Sequence, residues 1–154
     1  MMKTKRLCQA VYLLFCLIQI ALLGAVYILQ TLTTKKAGVN HHLRFTRTYW
    51  MHNYLTPQNT LIFSIILVLI AAVIFVALFR LWNKTGIYSK IAFILSLLWI
   101  AALLLSLHLE IVSALLVYPY LLLAETIALL LSCINIVLGY TAHKQNRYFI
   151  HIHI

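Results

Sequence analysis

Two acidic residues occur in the 154 positions of this chain, and one of them, Glu125, falls inside the otherwise apolar stretch 111–142. A carboxyl group is expensive to place in hydrocarbon, so an ionisable residue there is by default a candidate for function. Its surroundings sharpen the case. Tyr118, Glu125, Ser132 and Gly139 recur at intervals of seven, and an α-helix drifts by only about 20° per heptad. All four therefore share one helix face, with Ala114 and Ala128 beside it and Asn135 adding a further polar group to the same segment. Small and polar residues on one face mark the side that packs against other helices rather than lipid. No Lys, Arg or His lies in the core of an apolar segment, so Glu125 is expected to be neutral and held by hydrogen bonds. The sequence offers Gln19 in the first segment and Ser96 in the third as partners. Two chemistries fit: an interhelical polar clasp, or a protonatable coupling site of a transporter. The clasp is the preferred expectation, because proton-coupled sites come with several ionisable groups and a water path.

Histidines form a second constellation. His41, His42 and His52 lie between the first two apolar segments, and His108 with Glu110 closes the third. All five fall on one predicted side, and imidazole with carboxylate suits zinc or copper. Their spacing matches no metal motif, so the expectation is hydrated histidines at the headgroups and no metal. His151 and His153 fall across the bilayer, in a tail, RYFIHIHI, whose alternation has the period of a strand. That tail either rests at the headgroups or adds to the edge of a cytoplasmic partner. Cys8, Cys16 and Cys133 lie in or beside apolar runs and read as small buried hydrophobes. There is no phosphate-cradling glycine loop, HExxH, GxSxG or membrane histidine pair for haem. No catalytic residue and no cofactor is assigned, and an enzyme is not expected.

The elements that must position these residues follow from composition. With 64% hydrophobic and 9% charged residues and a mean hydropathy of +1.00, the chain departs far from soluble domains, about a quarter of whose residues are charged. A fold of this length cannot hide so much apolar surface from water, so lipid must cover the rest. Apolar runs of about 20 residues span the hydrocarbon, and four are predicted, over about 7–30, 60–80, 90–110 and 113–140, within a single membrane domain. The first follows the basic start MMKTKR but exceeds a signal peptide's apolar core and lacks a small-residue cleavage site, so it is expected to remain as a helix. Gly86 marks the turn between the second and third segments. The start of the fourth has two readings, near Ser113 or at Tyr118-Pro119-Tyr120, and the choice sets the depth of Glu125.

Placing the N-terminus inside puts Lys3, Lys5, Arg6, Arg80, Lys84, Lys90, Lys144 and Arg147 on the cytoplasmic side and Lys35, Lys36, Arg44 and Arg47 outside. The positive-inside rule then favours an all-α, four-helix transmembrane bundle, N-in and C-in. The segment 31–59 is left without a definite structure; Leu43, Phe45, Tyr49 and Met51 alternate weakly like a strand, and Arg47 interrupts them. It is expected on the membrane surface, anchored by Trp50 and the tyrosines, with Arg44, Arg47, Tyr49 and Trp50 as its interaction residues. The +10 charge is assigned to topology and anionic lipid headgroups rather than to nucleic acid. The functional expectation is a non-catalytic subunit or accessory protein of a larger membrane complex, by default in a bacterial cytoplasmic membrane, with a protein partner or a second copy of itself. The alternatives are a small oligomeric exporter using Glu125, and an immunity or stress-protection protein. The chain is similar to small multidrug exporters in helix count alone; where those carry their essential acid, the first segment offers only Gln19.

Overall fold

The computed structural model describes the backbone of residues 2–82, 85 and 87–152, and the side chains of 10–82, 85 and 87–141. These residues form six helices: α1 Met2–Lys35, α2 Ala37–Asn53, α3 Pro57–Leu81, α4 Ile87–His108, α5 Glu110–Ser113 and α6 Tyr118–Ile152. No strand occurs among the described residues. Among the described residues, four stretches are long and apolar enough to cross a membrane: Ala10–Lys35 of α1, α3, α4, and Tyr118–Thr141 of α6. The chain is thus an all-α, four-helix, multi-pass membrane protein, and an even number of crossings returns both ends to one side. That side, with the α3–α4 link, is the hairpin end; the other is the α2 end.

The elements begin and end for local reasons. Thr56, in an extended conformation, caps α3 by accepting from the Asn59 amide at 3.4 Å, and Pro57 follows at the first helical position. Pro119, fully buried, occupies the first turn of α6. Between α4 and α6, Leu109 turns extended (φ −82°, ψ 117°) and launches the single turn of α5. The fourth crossing therefore starts at Tyr118 rather than near Ser113, because the chain spends residues 109–117 on this corner. The tail is also corrected: α6 runs on as helix to Ile152, and backbone hydrogen bonding within the helix overrides the strand-like alternation of its isoleucines and histidines. Gly86 and the side chains of Cys8, His151 and His153 lie outside the described residues.

α6 is the central element, packed between α1 and α4, while α3 packs on α4. The core gathers Ile74 of α3, Phe93, Ile100 and Leu103 of α4, and Tyr118, Leu122 and Leu129 of α6. The outlying helices bury little: Ile74 is the buried residue of α3, and Gln19 and Thr33 are those described in α1. Their other faces carry side chains such as Leu13, Leu17, Val73 and Phe79, each more than half exposed, as lipid-facing residues should be.

The segment 31–59 is the larger correction. It is neither strand nor irregular; it forms the 17-residue helix α2, which turns off α1 at the extended Lys36 and packs against α1 and α6. Asn40 reaches back across that corner, its amide donating to the Thr33 carbonyl at 3.3 Å. Val39, Leu43, Arg47 and Trp50 face the bundle at helical spacing, with Leu43 only 2% exposed. Tertiary burial of Leu43 holds a helix that its weak apolar period does not announce.

Candidate functional site

The polar residues inside the spans lie along α6 and meet α1 and α4 at successive levels. α4 and α6 run antiparallel, and their contacts step in opposite directions along the two helices. Nearest the α2 end, the Ser106 hydroxyl donates to Glu125 Oε1 at 2.8 Å, with both residues buried. Farther along, the Ser96 hydroxyl donates to the Ala92 carbonyl at 2.9 Å and lies within hydrogen-bond reach of the Cys133 thiol. Toward the hairpin end Gly139 abuts Ser89 so closely that a Cβ on Gly139 would lie 3.3 Å from Ser89 Cβ and 3.4 Å from Ser89 Cα.

Gln19 serves the opposite flank of α6. Its carboxamide nitrogen donates to the Ala128 carbonyl at 3.0 Å and to Ser132 Oγ at 2.9 Å, and all three groups are buried. One side chain of α1 thus ties to two consecutive turns of α6. The small Ala128, fully buried, lets the two helices approach.

Glu125 does not pair with Gln19 or Ser96. With α6 starting at Tyr118 it lies about 10 Å along the helix from its start, level with Ser106, while Ser132, one heptad deeper, occupies the level of Gln19. The sequence could not separate Ser106 from Ser96 without the helix start. Glu125 Oε2 is buried without a hydrogen-bond partner, as is Asn135 Nδ2. Tyr118, one heptad before Glu125, is likewise buried, at 3% exposed. Tyr118, Glu125 and Ser132 therefore share one buried face.

At the α2 end, Arg47 spans from α2 to the connector. Its Nε and Nη2 both donate to the Ser113 carbonyl, at 3.1 and 2.7 Å. That carbonyl belongs to the last residue of α5, so the guanidinium caps a helix terminus that lacks its own partner. Arg47 is thereby committed within the chain. Trp50 is half-buried and packs on Tyr54 with ring centroids 5.3 Å apart. Arg44 and Tyr49 face outward.

The five metal candidates are not assembled. His41, His42 and His52 are exposed along α2, His108 bonds Ser64 Oγ through Nε2 at 3.0 Å, and Glu110 is exposed on α5. Among the described residues no three His, Cys, Asp or Glu groups come together to hold a metal. Cys16 and Cys133 are free thiols.

The arrangement ties helices together, and its carboxyl group, that of Glu125, has one of its two oxygens hydrogen-bonded. Compared with known protein families, curated protein sequences and solved structures, the chain matches none.

Proposed function

We propose that this chain is a non-catalytic integral subunit of a larger membrane complex, by default in a bacterial cytoplasmic membrane, and that α2 presents its contact surface to a protein partner. The observation that carries the reading is the outward stripe of α2. His41, Arg44, Phe45, Thr48, Tyr49 and His52 follow one another at helical spacing on its exposed face. Phe45 is 68% and Tyr49 49% exposed, on a helix whose other face already covers the bundle. Aromatic residues and arginine dominate the binding energy of protein interfaces, and here they flank a shallow depression lined by Phe45, Thr48, Tyr49, His52 and Asn53. The intramembrane polar groups support the same reading, since Gln19, Ser106 and Arg47 are spent on holding the chain's own helices.

A photoreactive phenylalanine analogue at position 45, irradiated in native membranes, should yield one stoichiometric protein adduct. The Phe45→Ala/Tyr49→Ala pair should release that protein under mild detergent. Adducts to lipid alone, or a monodisperse lone chain from untreated membranes, would remove the proposal.

A second reading, a small oligomeric exporter with Glu125 as its coupling site, is favoured by the buried, unpartnered Glu125 Oε2. Glu125→Gln keeps the acceptor for Ser106 but abolishes ionisation. Proton-coupled efflux lost from vesicles while the fold survives is the outcome this reading requires.

A further inference from the structure

α3 packs on α4 through Ile74, and the two helices leave a groove of about 890 Å³ between them at the α2 end. Leu61, Ile65, Val68 and Leu69 of α3 wall it on one side and Leu104 of α4 on the other. The four α3 residues are each more than half exposed, so the groove opens sideways to the bilayer. Ligand sites fall in roughly this size range and combine apolar walls with a few polar groups that fix orientation.

The polar groups gather at one end, and counting protons assigns their hydrogen bonds. The Thr60 hydroxyl donates to the Thr56 carbonyl at 3.0 Å, the Ser64 hydroxyl to the Thr60 carbonyl at 2.8 Å, and the Ser113 hydroxyl to the Glu110 carbonyl at 3.0 Å. A hydroxyl has one proton, so the contact between Ser64 Oγ and His108 Nε2 at 3.0 Å is the ring N–H donating to Ser64. In a neutral imidazole the other nitrogen then carries a lone pair, which makes His108 Nδ1 an acceptor. Tyr118 adds a phenol, able to donate or to accept. Among the described lining residues none is Lys, Arg, Asp or Glu, and Arg47 is already bound to the Ser113 carbonyl.

These groups select an occupant. A phosphate or carboxylate would enter this apolar space without a cation, and an ammonium without an anion; burying an unpaired charge is strongly unfavourable. An ester or ether head brings only lone pairs to the lone pair of Nδ1. A hydroxyl donates to Nδ1 and can accept from the phenol, and an apolar tail matches walls that face the bilayer.

We propose that this groove seats an uncharged lipid with a hydroxyl head, of the diacylglycerol kind, its hydroxyl donating to His108 Nδ1 and an acyl chain lying between α3 and α4.

The test uses the full chain in phosphatidylcholine vesicles containing a diacylglycerol with a photoreactive diazirine in one acyl chain, adducts being located by peptide mass spectrometry. Labelling of residues 61–69 and 104–107 is measured relative to Val137, on the lipid-facing side of α6. It should exceed that given by a phosphatidylcholine with the same chain at the same mole fraction by about fivefold, the contribution of one neutral hydrogen bond. Unlabelled diacylglycerol should compete; its methyl ether, which keeps the oxygen but lacks the proton, should compete about fivefold more weakly. His108→Leu should erase the difference between alcohol and ether. Leu104→Phe, which fills the groove from α4, should lower labelling to the phosphatidylcholine level, with helix content by circular dichroism unchanged. Labelling equal to that of phosphatidylcholine in the parent chain overturns the proposal, leaving the groove to ordinary bilayer chains. Equal competition by alcohol and ether, or a preference that survives either variant, overturns it too.

Discussion

Replacing Gln19 by Leu removes both hydrogen bonds that tie α1 to α6 while keeping a side chain of similar size, so little cavity is created. Interhelical hydrogen bonds in membranes contribute on average about 0.6 kcal/mol and at most about 1.7. The Ala128 carbonyl lies within α6 and retains its place in the helix ladder; the larger share of the loss then falls on the Ser132 bond at 2.9 Å. Gln19→Leu should cost about 1–2 kcal/mol, Ser132→Ala about 0.6, and the double variant less than their sum by about 0.6. Reversible unfolding in mixed micelles measures the cycle, and hydrogen exchange of α1 amides localises it, since α1 is held mainly by α6. A coupling energy indistinguishable from zero, with α1 exchange unchanged, would refute the claim that this clasp holds α1 to the bundle.

Other expectations follow from the same contacts. Ser106→Ala leaves the buried Glu125 carboxyl without a partner on either oxygen and should cost about 1–3 kcal/mol; adding Glu125→Leu should recover most of it, because replacing both partners by apolar groups is nearly neutral. Gly139→Ala drives a methyl into the Ser89 hydroxyl, and such overpacking costs about 1–3 kcal/mol; Ser89→Ala, which removes that oxygen and leaves Cβ and Cα at 3.3 and 3.4 Å, should relieve most of it, as thermal melts of the single and double variants would record. Arg47→Ala loses two charged hydrogen bonds to Ser113 worth about 1.5–3 kcal/mol each at most, read as faster hydrogen exchange in α2 and the 109–117 connector with the spans unaffected. Leu43→Ala, at a site 2% exposed, should cost about 2–5 kcal/mol and expose α2 selectively to protease.

The four crossings were legible before any coordinate, because transfer of a side chain into hydrocarbon depends on that side chain and its near neighbours and adds up along a run. The shared face of Tyr118, Glu125 and Ser132 was legible too, since helical periodicity is a property of one segment. α2 was not: its inward face mixes Val39, Leu43 and Trp50 with Asn40 and Arg47, and it becomes a helix face only when α1 and α6 lie beneath it. The acceptor for Arg47 is a backbone carbonyl, and every residue has one, so no sequence signal points to Ser113. Glu125 shows the division most clearly. That it needed a hydrogen-bonding partner followed from its chemistry; that the partner is Ser106 and not Gln19 or Ser96 followed from where α6 begins. The chain itself determined which residues enter the membrane and which face of α6 turns inward, both local quantities. The tertiary structure decided the axial offset between helices, and since one heptad is about 10 Å, that offset alone selects which polar groups can touch.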